Sequence, residues 1–365
     1  MIGNYYGCGT IGQRGYLWTP KDGFRDLPPP PGFIRSTPWS ISNSGVVVGS
    51  VRLPSGLNRG CMWIDAVPTL VPEVPGNGSK AVALLSDGTL MGYSLSFAAS
   101  PQCIGWLRGK QVEMPAELML GGTATDQFRN ASSNDWLCGT QVFGPVPGDR
   151  LFRMRGDFID TVLGPDDIAG VSAIDINRAG VIAGAFSVST DENPQWDSQW
   201  TFRYDGTIHA LPGLPGYSGV QPTGINDVGV IVGRTHCMSM SCDPLPGSTP
   251  VLWRNDVITT VWDLLPDFNG TVDGVWDINN RGQLVMSGSI FDDPSAGYAV
   301  IIATPKNVPA GDISVDCTVD ADDLALLLGS WGPREDAPVR EADLDGDDEI
   351  GPLDLAILLG AWSPG

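Results

Sequence analysis

The sequence predicts an all-β fold, a β-propeller of six or seven four-stranded blades, followed by a small all-α domain that carries two calcium loops. Three observations support this prediction: a composition rich in turn residues, a strand-and-turn unit that recurs about every 45 residues, and a duplicated acidic segment near the end of the chain.

The composition favours many short strands joined by tight turns. The 365 residues include 47 Gly and 30 Pro, and 42% of the chain is hydrophobic, which is enough for one or two cores. The net charge of −21 opposes binding to phosphate backbones or anionic lipid, so nucleic acid is excluded as a partner. Seven Cys without a CxxC pair, together with two His, do not form a zinc motif. We also expect no membrane span, because no run of 18 uncharged apolar residues occurs.

A repeated unit fills residues 1–305. Each copy has an apolar residue, Asn or Ser, a turn that ends in Gly, and a β-branched strand. Clear copies begin at Ile41, Leu84, Ile174, Gly224 and Trp276, and a degenerate copy begins at Ser132. The glycine that follows in the strand recurs at intervals of 43 to 55 residues, at Gly3, Gly49, Gly92, Gly139, Gly184, Gly233 and Gly288.

An aromatic strand follows the Gly-containing strand in the first six units, whereas the last unit ends in YAVIIATP. The central residue of the aromatic strand is Trp18, Trp63, Trp106, Phe152, Phe202 or Trp253. The Asn-x-x-Gly turn suits a hairpin, and a second turn such as RYDGTI leads to a strand that ends in Leu-Pro or Val-Pro. Four strands in about 45 residues is the size of a propeller blade, whereas a β-solenoid, the alternative, usually has shorter periods. We expect the repeated aromatic residue to pack in the core between blades.

The repeat pattern IN-x-x-G-x-V-x-G, followed by an aromatic strand and a Leu-Pro ending, resembles the HAF-type extracellular repeat over residues 1–305. This resemblance implies a secreted or surface bacterial protein, and it supplies no active site. The first unit lacks its Asn-turn half, so we expect the chain to be truncated at its start and a signal peptide to have been lost with it. The alternative is a natural start, with one blade completed by strands from both termini. We therefore predict an extracellular or cell-surface location.

The composition changes after a short linker, residues 306–310. Residues 311–365 contain 14 acidic residues against two Arg. Two segments within them align with an offset of 31 residues: GDISVDCTVDADDLALLLGSWG from Gly311 and ADLDGDDEIGPLDLAILLGAWS from Ala342. Each places acidic residues ahead of an apolar helix. This duplication predicts two equivalent cation sites rather than a disordered acidic tail.

The second copy has the ligand spacing of a 12-residue calcium loop, with ligands at positions 1, 3, 5, 7, 9 and 12. These positions hold Asp343, Asp345, Asp347, Glu349, Gly351 and Asp354. The first copy offers Asp312, Ser314, Asp316, Thr318, Asp320 and Asp323, where position 7 contributes its backbone carbonyl. Ser314 replaces a carboxylate, so we expect the first site to be the weaker of two calcium sites. Position 6 favours a positive φ, and it holds Asp348 in one loop and Cys317 in the other.

Two calcium loops, each followed by one helix, resemble a type I dockerin, and the LLLGSWG and LLGAW endings are similar to the planctomycete-type variant. This resemblance implies docking onto a cohesin-like partner through the helices and through loop positions 10 to 12. Those positions hold Ala321, Asp322, Asp323, Pro352, Leu353 and Asp354. The alternative is a calcium-stabilised cap that docks on no partner.

Few residues suggest catalysis. His209 and His236 are the two His of the chain, and Asp175, Asp227 and Asp277 stand beside the repeated Asn turns, where recurrence indicates a turn role. The aromatic residues outside the repeat pattern are better ligand candidates, chiefly Trp196, Trp200 and Tyr217. We therefore predict a secreted, non-enzymatic binding or surface-assembly protein, with polysaccharide as a candidate ligand of the propeller. The alternative is a carbohydrate-active propeller enzyme, a glycosidase or a lyase, carried by a dockerin.

Overall fold

The computed structural model describes most of the chain and forms two compact units, Met1–Ala173 and Ile174–Gly365. The described residues are 1–6, 13–42, 44–72, 78–95, 103–107, 110–112, 125–132, 134–142, 150–163, 170–190, 193–217, 219–236, 248–292, 297–306, 308–316 and 318–363.

The first unit contains four groups of antiparallel strands, which we call blades 1 to 4. Strands follow one another in chain order in every blade, as hairpin connections require. Blade 1 comprises β1 (Ile2–Tyr6), β2 (Gln13–Thr19) and β3 (Gly23–Leu27); blade 2 comprises β4 (Arg35–Ile41), β5 (Val47–Arg52), β6 (Asn58–Ile64) and β7 (Val67–Leu70); blade 3 comprises β8 (Gly78–Leu84), β9 (Leu90–Leu95), β10 (Cys103–Leu107) and β11 (Lys110–Val112); blade 4 comprises β12 (Thr125–Ala131), β13 (Leu137–Val142), β14 (Arg150–Arg155) and β15 (Phe158–Leu163).

The second unit contains blades 5 to 7, and its boundary falls inside the first strand of blade 5. Blades 5 and 6 join through one parallel bridge, Gln199 to Gly219. Blade 5 comprises β16 (Gly170–Ile176), β17 (Ile182–Thr190), β18 (Asn193–Tyr204) and β19 (Ile208–Ala210); blade 6 comprises β20 (Gly219–Ile225), β21 (Ile231–His236), β22 (Pro250–Arg254) and β23 (Val257–Thr260), with α1 (Val261–Leu264) after it; blade 7 comprises β24 (Gly270–Ile278), β25 (Leu284–Ile290) and β26 (Tyr298–Ala303).

The predicted Asn-x-x-Gly turns join the first two strands of blades 5, 6 and 7. In blade 5 the Gly180 amide donates to the Asn177 carbonyl at 3.0 Å, and the Asn177 amide donates to the Val181 carbonyl at 3.1 Å. Gly180 has a φ of +76°, so the turn is a type I turn closed by a glycine bulge. The Asn177 side chain accepts from the Ala179 and Val181 amides. The predicted turn is confirmed.

The repeated glycine of the second strand lies where a neighbouring strand approaches too closely for any side chain. A Cβ at Gly233 would overlap the carbonyl oxygen of Gln221 in the first strand. The first strand bulges beside this point, because its register shifts between Pro222 and Gly224. The same overlap and a neighbouring bulge occur at Gly49, Gly92 and Gly288. The glycine is therefore a packing requirement of the bulged strand pair.

Replacing this glycine is expected to destabilise the fold. Gly233→Ala should lower the free energy of unfolding by about 1–3 kcal/mol, because the added methyl group forces the backbone of two paired strands apart. Gly213→Ala is the matched control, since nothing lies within 4 Å of a Cβ there. Urea denaturation measures both; equal midpoints for the two variants would contradict the close approach.

The aromatic residues of the third strands form the cores between blades, as predicted. Trp63 and Trp253 are fully buried, as are Phe152 and Phe202. The Trp253 indole Nε1 donates to the Pro212 carbonyl at 2.8 Å, and Trp63 donates to the Pro28 carbonyl at 2.8 Å. Both acceptors close the preceding blade in sequence. The Leu-Pro ending of one blade therefore supplies the hydrogen-bond acceptor for the Trp of the next.

The C-terminal segment packs around a core of its own. It contains α2 (Ala321–Gly329), β27 (Gly332–Pro333), a short 3-10 helix (Arg340–Ala342), β28 (Glu349–Ile350) and α3 (Pro352–Gly360). The two short strands depart from the predicted all-α composition. Its buried residues are Ile313, Val319, Leu327, Ala337, Val339, Ala342, Ile350 and Leu358. No helix in the described ranges is both long and apolar enough to cross a bilayer.

The two halves of this segment exchange equivalent backbone contacts. Ile350, at position 8 of the second loop, pairs with Gly332, which follows α2. Val319, at position 8 of the first loop, accepts from the amide of Ser363, which follows α3, at 2.9 Å. Ile350 lies 31 residues after Val319, and Ser363 lies 31 residues after Gly332, which is the offset of the sequence duplication. The duplication is therefore also a structural one, with each loop bound to the end of the other copy.

Three side chains of blades 5 and 6 hold the C-terminal segment. The buried Arg178 guanidinium donates to the carbonyls of Ala337 at 2.9 Å and Glu335 at 2.8 Å. Arg254 donates to the Val315 carbonyl at 2.8 Å, and Asn255 donates to the Asp322 carboxylate at 2.8 Å. The segment that the sequence predicts as a separate domain therefore contacts the blades of its own unit.

Candidate calcium loops and ligand sites

The second loop brings three of its predicted ligands together. Carboxylate oxygens of Asp343, Asp345 and Asp354 all lie within 4.8 Å of one another. These residues hold positions 1, 3 and 12. Converging carboxylates of this kind repel one another unless a cation or protons offset their charge. Within the described residues, the first loop forms no such group of three, and Ser314 occupies its third position.

The last ligand of each loop ties the loop ends together in the same way. The buried Asp354 accepts from the Asp345 amide at 3.1 Å through one oxygen and from the Gly351 amide at 2.7 Å through the other. Its counterpart Asp323, also buried, accepts from the Ser314 amide at 2.7 Å and the Asp320 amide at 2.9 Å. Positions 3, 9 and 12 are therefore linked identically in both loops.

The other predicted ligands lie along the loops and bond neighbouring amides. The first ligands, Asp312 and Asp343, accept from the amides of Asp316 and Gly346, respectively. Carboxylates at other positions accept from residues two further on, as in Asx turns. The backbone amides of Thr318, Asp322, Asp347 and Glu349 donate to the carboxylates of Asp316, Asp320, Asp345 and Asp347, respectively.

The electrostatics of the second loop favour a cation. Desolvation, followed by the charges of Asp347, Asp354 and Asp343, raises the pKa of Asp345 above its usual value. A carboxylate surrounded by others is stabilised by any positive charge placed among them. The Arg334 guanidinium approaches this loop at its edge, 3.3 Å from an oxygen of Asp343 and 3.3 Å from one of Asp348.

Backbone conformations explain the loop sequences at two positions. Asp348, at position 6 of the second loop, has a φ of +67°, as its place in the spacing predicts. Position 4 also has a positive φ, which suits Gly346 but strains its counterpart Val315, a β-branched residue at +58°. Cys317, at position 6 of the first loop, lies outside the described residues.

Four of the six residues predicted to contact a partner are exposed at the starts of the two helices, whereas Asp323 and Asp354 are buried. Ala321 and Asp322 begin α2, and Pro352 and Leu353 begin α3. Leu353 is 63% exposed, and further apolar side chains of the helices and their ends are also exposed. These are Leu328, Trp331, Leu359 and Trp362. Asp322 is the exception in that it already accepts a bond from Asn255.

Two of the three predicted ligand-binding aromatics line one pocket. Trp200, 46% exposed, and Tyr217 border a cavity of about 250 Å³ beside the Leu-Pro ending of blade 5. The Tyr217 hydroxyl bonds the Thr249 hydroxyl at 2.6 Å, which fixes the ring. The Trp196 side chain lies outside the described residues, as does that of His236.

The acidic residues beside the Asn turns join one blade to the next. Asp227 accepts from the Arg178 amide at 2.8 Å, and the Asp227 amide donates to Asn280 at 2.9 Å. Asp175 accepts from the Ile225 amide at 2.9 Å. Burial raises the pKa of Asp227, opposed by the bonds that its carboxylate accepts from the Arg178 amide and the Asn280 side chain. Desolvation also raises the pKa of Asp277 to about 6, although its side chain keeps contact with solvent. The sequence predicts the turn role but not the contact between blades.

The fold is similar to that of known β-propellers. The chain aligns with the β-propeller domain of the Trilobed protease from Pyrococcus furiosus, described as having an open velcro topology, at 9% identity and a TM-score of 0.51, over 82% of this chain and 88% of that one. It aligns with a puromycin hydrolase at 11% identity and a TM-score of 0.51, over 83% of this chain and 50% of that one. An oligogalacturonate lyase in complex with manganese aligns at 13% identity and a TM-score of 0.47, over 84% of this chain and 82% of that one.

At these identities the likeness shows the fold alone, a seven-bladed β-propeller of mainly four-stranded blades. The predicted fold class is confirmed at this level, with seven as the number of blades. No known protein-family model matches the sequence, and no curated protein matches it.

Proposed function

We propose that this protein is an extracellular, non-enzymatic binding or surface-assembly component whose C-terminal segment binds two calcium ions and docks onto a cohesin-like partner. The observation that carries the proposal is the convergence of Asp343, Asp345 and Asp354 in a loop with calcium-ligand spacing. The HAF-type resemblance of the repeats and the dockerin resemblance of residues 311–365 support the location and the partner.

Calcium is the cation that this set of ligands suits best. Calcium takes six to eight oxygen ligands at flexible geometry, and the second loop offers four carboxylates besides the position-7 carbonyl. The set contains no His, and Cys317 is the sole sulfur within either loop, so zinc and copper are disfavoured. The first loop has carboxylates at positions 1, 5, 9 and 12. Position 3 holds the hydroxyl of Ser314 instead of a carboxylate, so we expect this loop to bind calcium more weakly.

Calcium titration of the full chain tests this proposal directly. We expect calorimetry to give two ions per chain, with the tighter site in the second loop, and the melting temperature to rise with calcium because the ion binds only the folded loops. Excess chelator should reverse the rise. Magnesium at the same concentration is the control and should give a smaller shift. A calorimetric trace without binding heat at millimolar calcium, together with an unchanged melting temperature, would refute the proposal.

The partner is tested separately. Immobilised cohesin modules should capture the protein in calcium and release it in chelator. Leu353→Asp should abolish capture while leaving the calcium stoichiometry at two, because Leu353 is exposed and lies outside the ligand positions. Capture that is insensitive to this substitution would indicate a different docking face.

The carbohydrate-active enzyme, the alternative from the sequence, receives no support from the acidic residues at the turns. Asp175 and Asp227 accept bonds from backbone amides of neighbouring blades, which explains their recurrence without a catalytic role. Polysaccharide stays a candidate ligand at the Trp200 and Tyr217 pocket, and glycan-array binding of the full chain tests it.

A further inference from the structure

A second and larger cavity lies in the unit formed by Ile174–Gly365. Its volume is about 570 Å³, which is in the range of small-molecule sites. Apolar side chains from blades 6 and 7, from α1 and from the segment after it form most of its lining. They include Leu252, Leu264, Phe268, Ile278 and Leu284. Leu264 is 49% exposed, so part of this apolar lining faces solvent.

The first calcium loop and the linker form the other side of the cavity. Ser314, Val315 and Asp316 line it, as do Pro305 and Lys306. Val315 is held here by two contacts, since its carbonyl accepts from Arg254 and its side chain packs closely over Gly282. The cavity therefore combines an apolar interior with a rim of charged groups.

Arg254 also lines the cavity, and its hydrogen bonding is incomplete. Its Nη2 donates to the Val315 carbonyl, but its Nε is buried and has no hydrogen-bond acceptor among the described residues. In the described part of the chain no carboxylate lies within ion-pair distance of this guanidinium. The residue as a whole lines the cavity and is half-buried, so the accessible part of the guanidinium is the position where an anionic acceptor would bind.

We propose that this cavity binds a small molecule that has an apolar body and a single carboxylate, such as a medium-chain fatty acid or an aryl carboxylate. The apolar body contacts Leu252, Phe268 and Leu284, and the carboxylate pairs with Arg254. A planar guanidinium binds a carboxylate through two parallel hydrogen bonds, which a hydroxyl group cannot form. Asp316 and Asp267 also line the cavity and disfavour ligands of higher negative charge.

The size and lining exclude other ligand classes. A polysaccharide needs many hydrogen-bonding groups, whereas this interior is mostly aliphatic and aromatic. A multivalent phosphate would meet two carboxylates against Arg254 and Lys306. The site goes beyond the proposed calcium function and does not depend on it, because none of its binding contacts requires an ion.

Calorimetry of the full chain with decanoate and with decanol tests this inference. The two ligands share an apolar chain and differ in the head group, so we expect decanoate to bind at least tenfold more tightly. Arg254→Met should reduce decanoate affinity at least tenfold and leave decanol affinity within about twofold. Arg281→Met is the matched control, because Arg281 is exposed on a turn and does not line the cavity.

Each titration is run in calcium and in chelator, with circular dichroism to verify that the variants fold. Decanoate binding in chelator would show that this site does not require calcium, so that a failure of the calcium proposal would not affect it. Equal affinities of the wild-type chain for decanoate and decanol would refute the carboxylate site without reference to any variant. The absence of binding heat for both ligands at about 0.1 mM, where decanol is still dissolved, would refute the cavity as an apolar site of that affinity.

Discussion

Replacing Asp354 with asparagine is expected to abolish calcium binding at the second loop. Asp354 contributes to the group of three carboxylates and also accepts three amide hydrogen bonds. One oxygen accepts from Leu344 at 2.6 Å and Asp345 at 3.1 Å, and the other accepts from Gly351 at 2.7 Å. Asparagine keeps one oxygen, and its NH2 group faces the Gly351 amide, so both the charge and one buried hydrogen bond are lost. We expect calorimetry to show one ion instead of two, with the affinity of the second loop reduced at least 100-fold.

Asp348→Asn is the matched control for this substitution. It makes the same chemical change within the same loop, at a position that offers no ligand, and asparagine also tolerates the φ of +67° found there. The control should keep two ions, and in chelator it should unfold close to the wild type. Asp354→Asn should lose about 1–3 kcal/mol even in chelator, because the buried Gly351 amide is left without an acceptor. Identical calcium isotherms for the two variants would contradict the assigned ligand set.

Replacing Arg178 with methionine is expected to release the C-terminal segment from the blades of its unit. Arg178 is 2% exposed, and its guanidinium donates to the carbonyls of Glu335 and Ala337. Hydrogen bonds from a charged donor contribute about 1.5–3 kcal/mol each, so the loss of two weakens this contact by roughly 3–6 kcal/mol. Trypsin cleavage after the exposed Lys306, just ahead of the segment, should become at least tenfold faster.

Arg281→Met controls for the loss of an arginine. Arg281 lies one residue later in the equivalent turn of blade 7, and its side chain is exposed. Its removal should leave both the cleavage rate and the melting temperature unchanged. Equal cleavage rates for the two variants would show that the Arg178 bonds do not hold the segment in place.

Local patterns in the sequence predict the features that depend on neighbouring residues. The Asn177 turn follows from the tolerance of Gly180 for a positive φ, and the burial of Trp253 follows from the recurrence of an aromatic residue at this place in six units. The calcium-loop spacing likewise places Asp343 and Asp354 together, because a 12-residue loop returns on itself. Each of these features involves residues that are close in the chain or occupy the same place in every repeat.

The features that the sequence does not reveal depend on contacts between distant residues. The close approach at Gly233 arises from a bulge in another strand, and the acceptor role of Asp227 depends on Arg178, 49 residues earlier. The contact between Arg178 and Ala337 spans 159 residues. From the sequence, an arginine in a hairpin turn is expected to be exposed to solvent. No local pattern identifies the distant segment that buries Arg178.

The hydrogen bonds between the turns of successive blades affect how the number of blades can increase in evolution. The turn of blade 5 donates to Asp227 in blade 6, and the turn of blade 6 donates in the same way to Asn280 in blade 7. The turn of blade 6 therefore carries both a donor for its successor and an acceptor for its predecessor. A gene segment that encodes one whole period can be copied in frame without leaving a partner unmatched. Tandem duplication thus preserves the contacts between blades, whereas the gain or loss of a partial period breaks them.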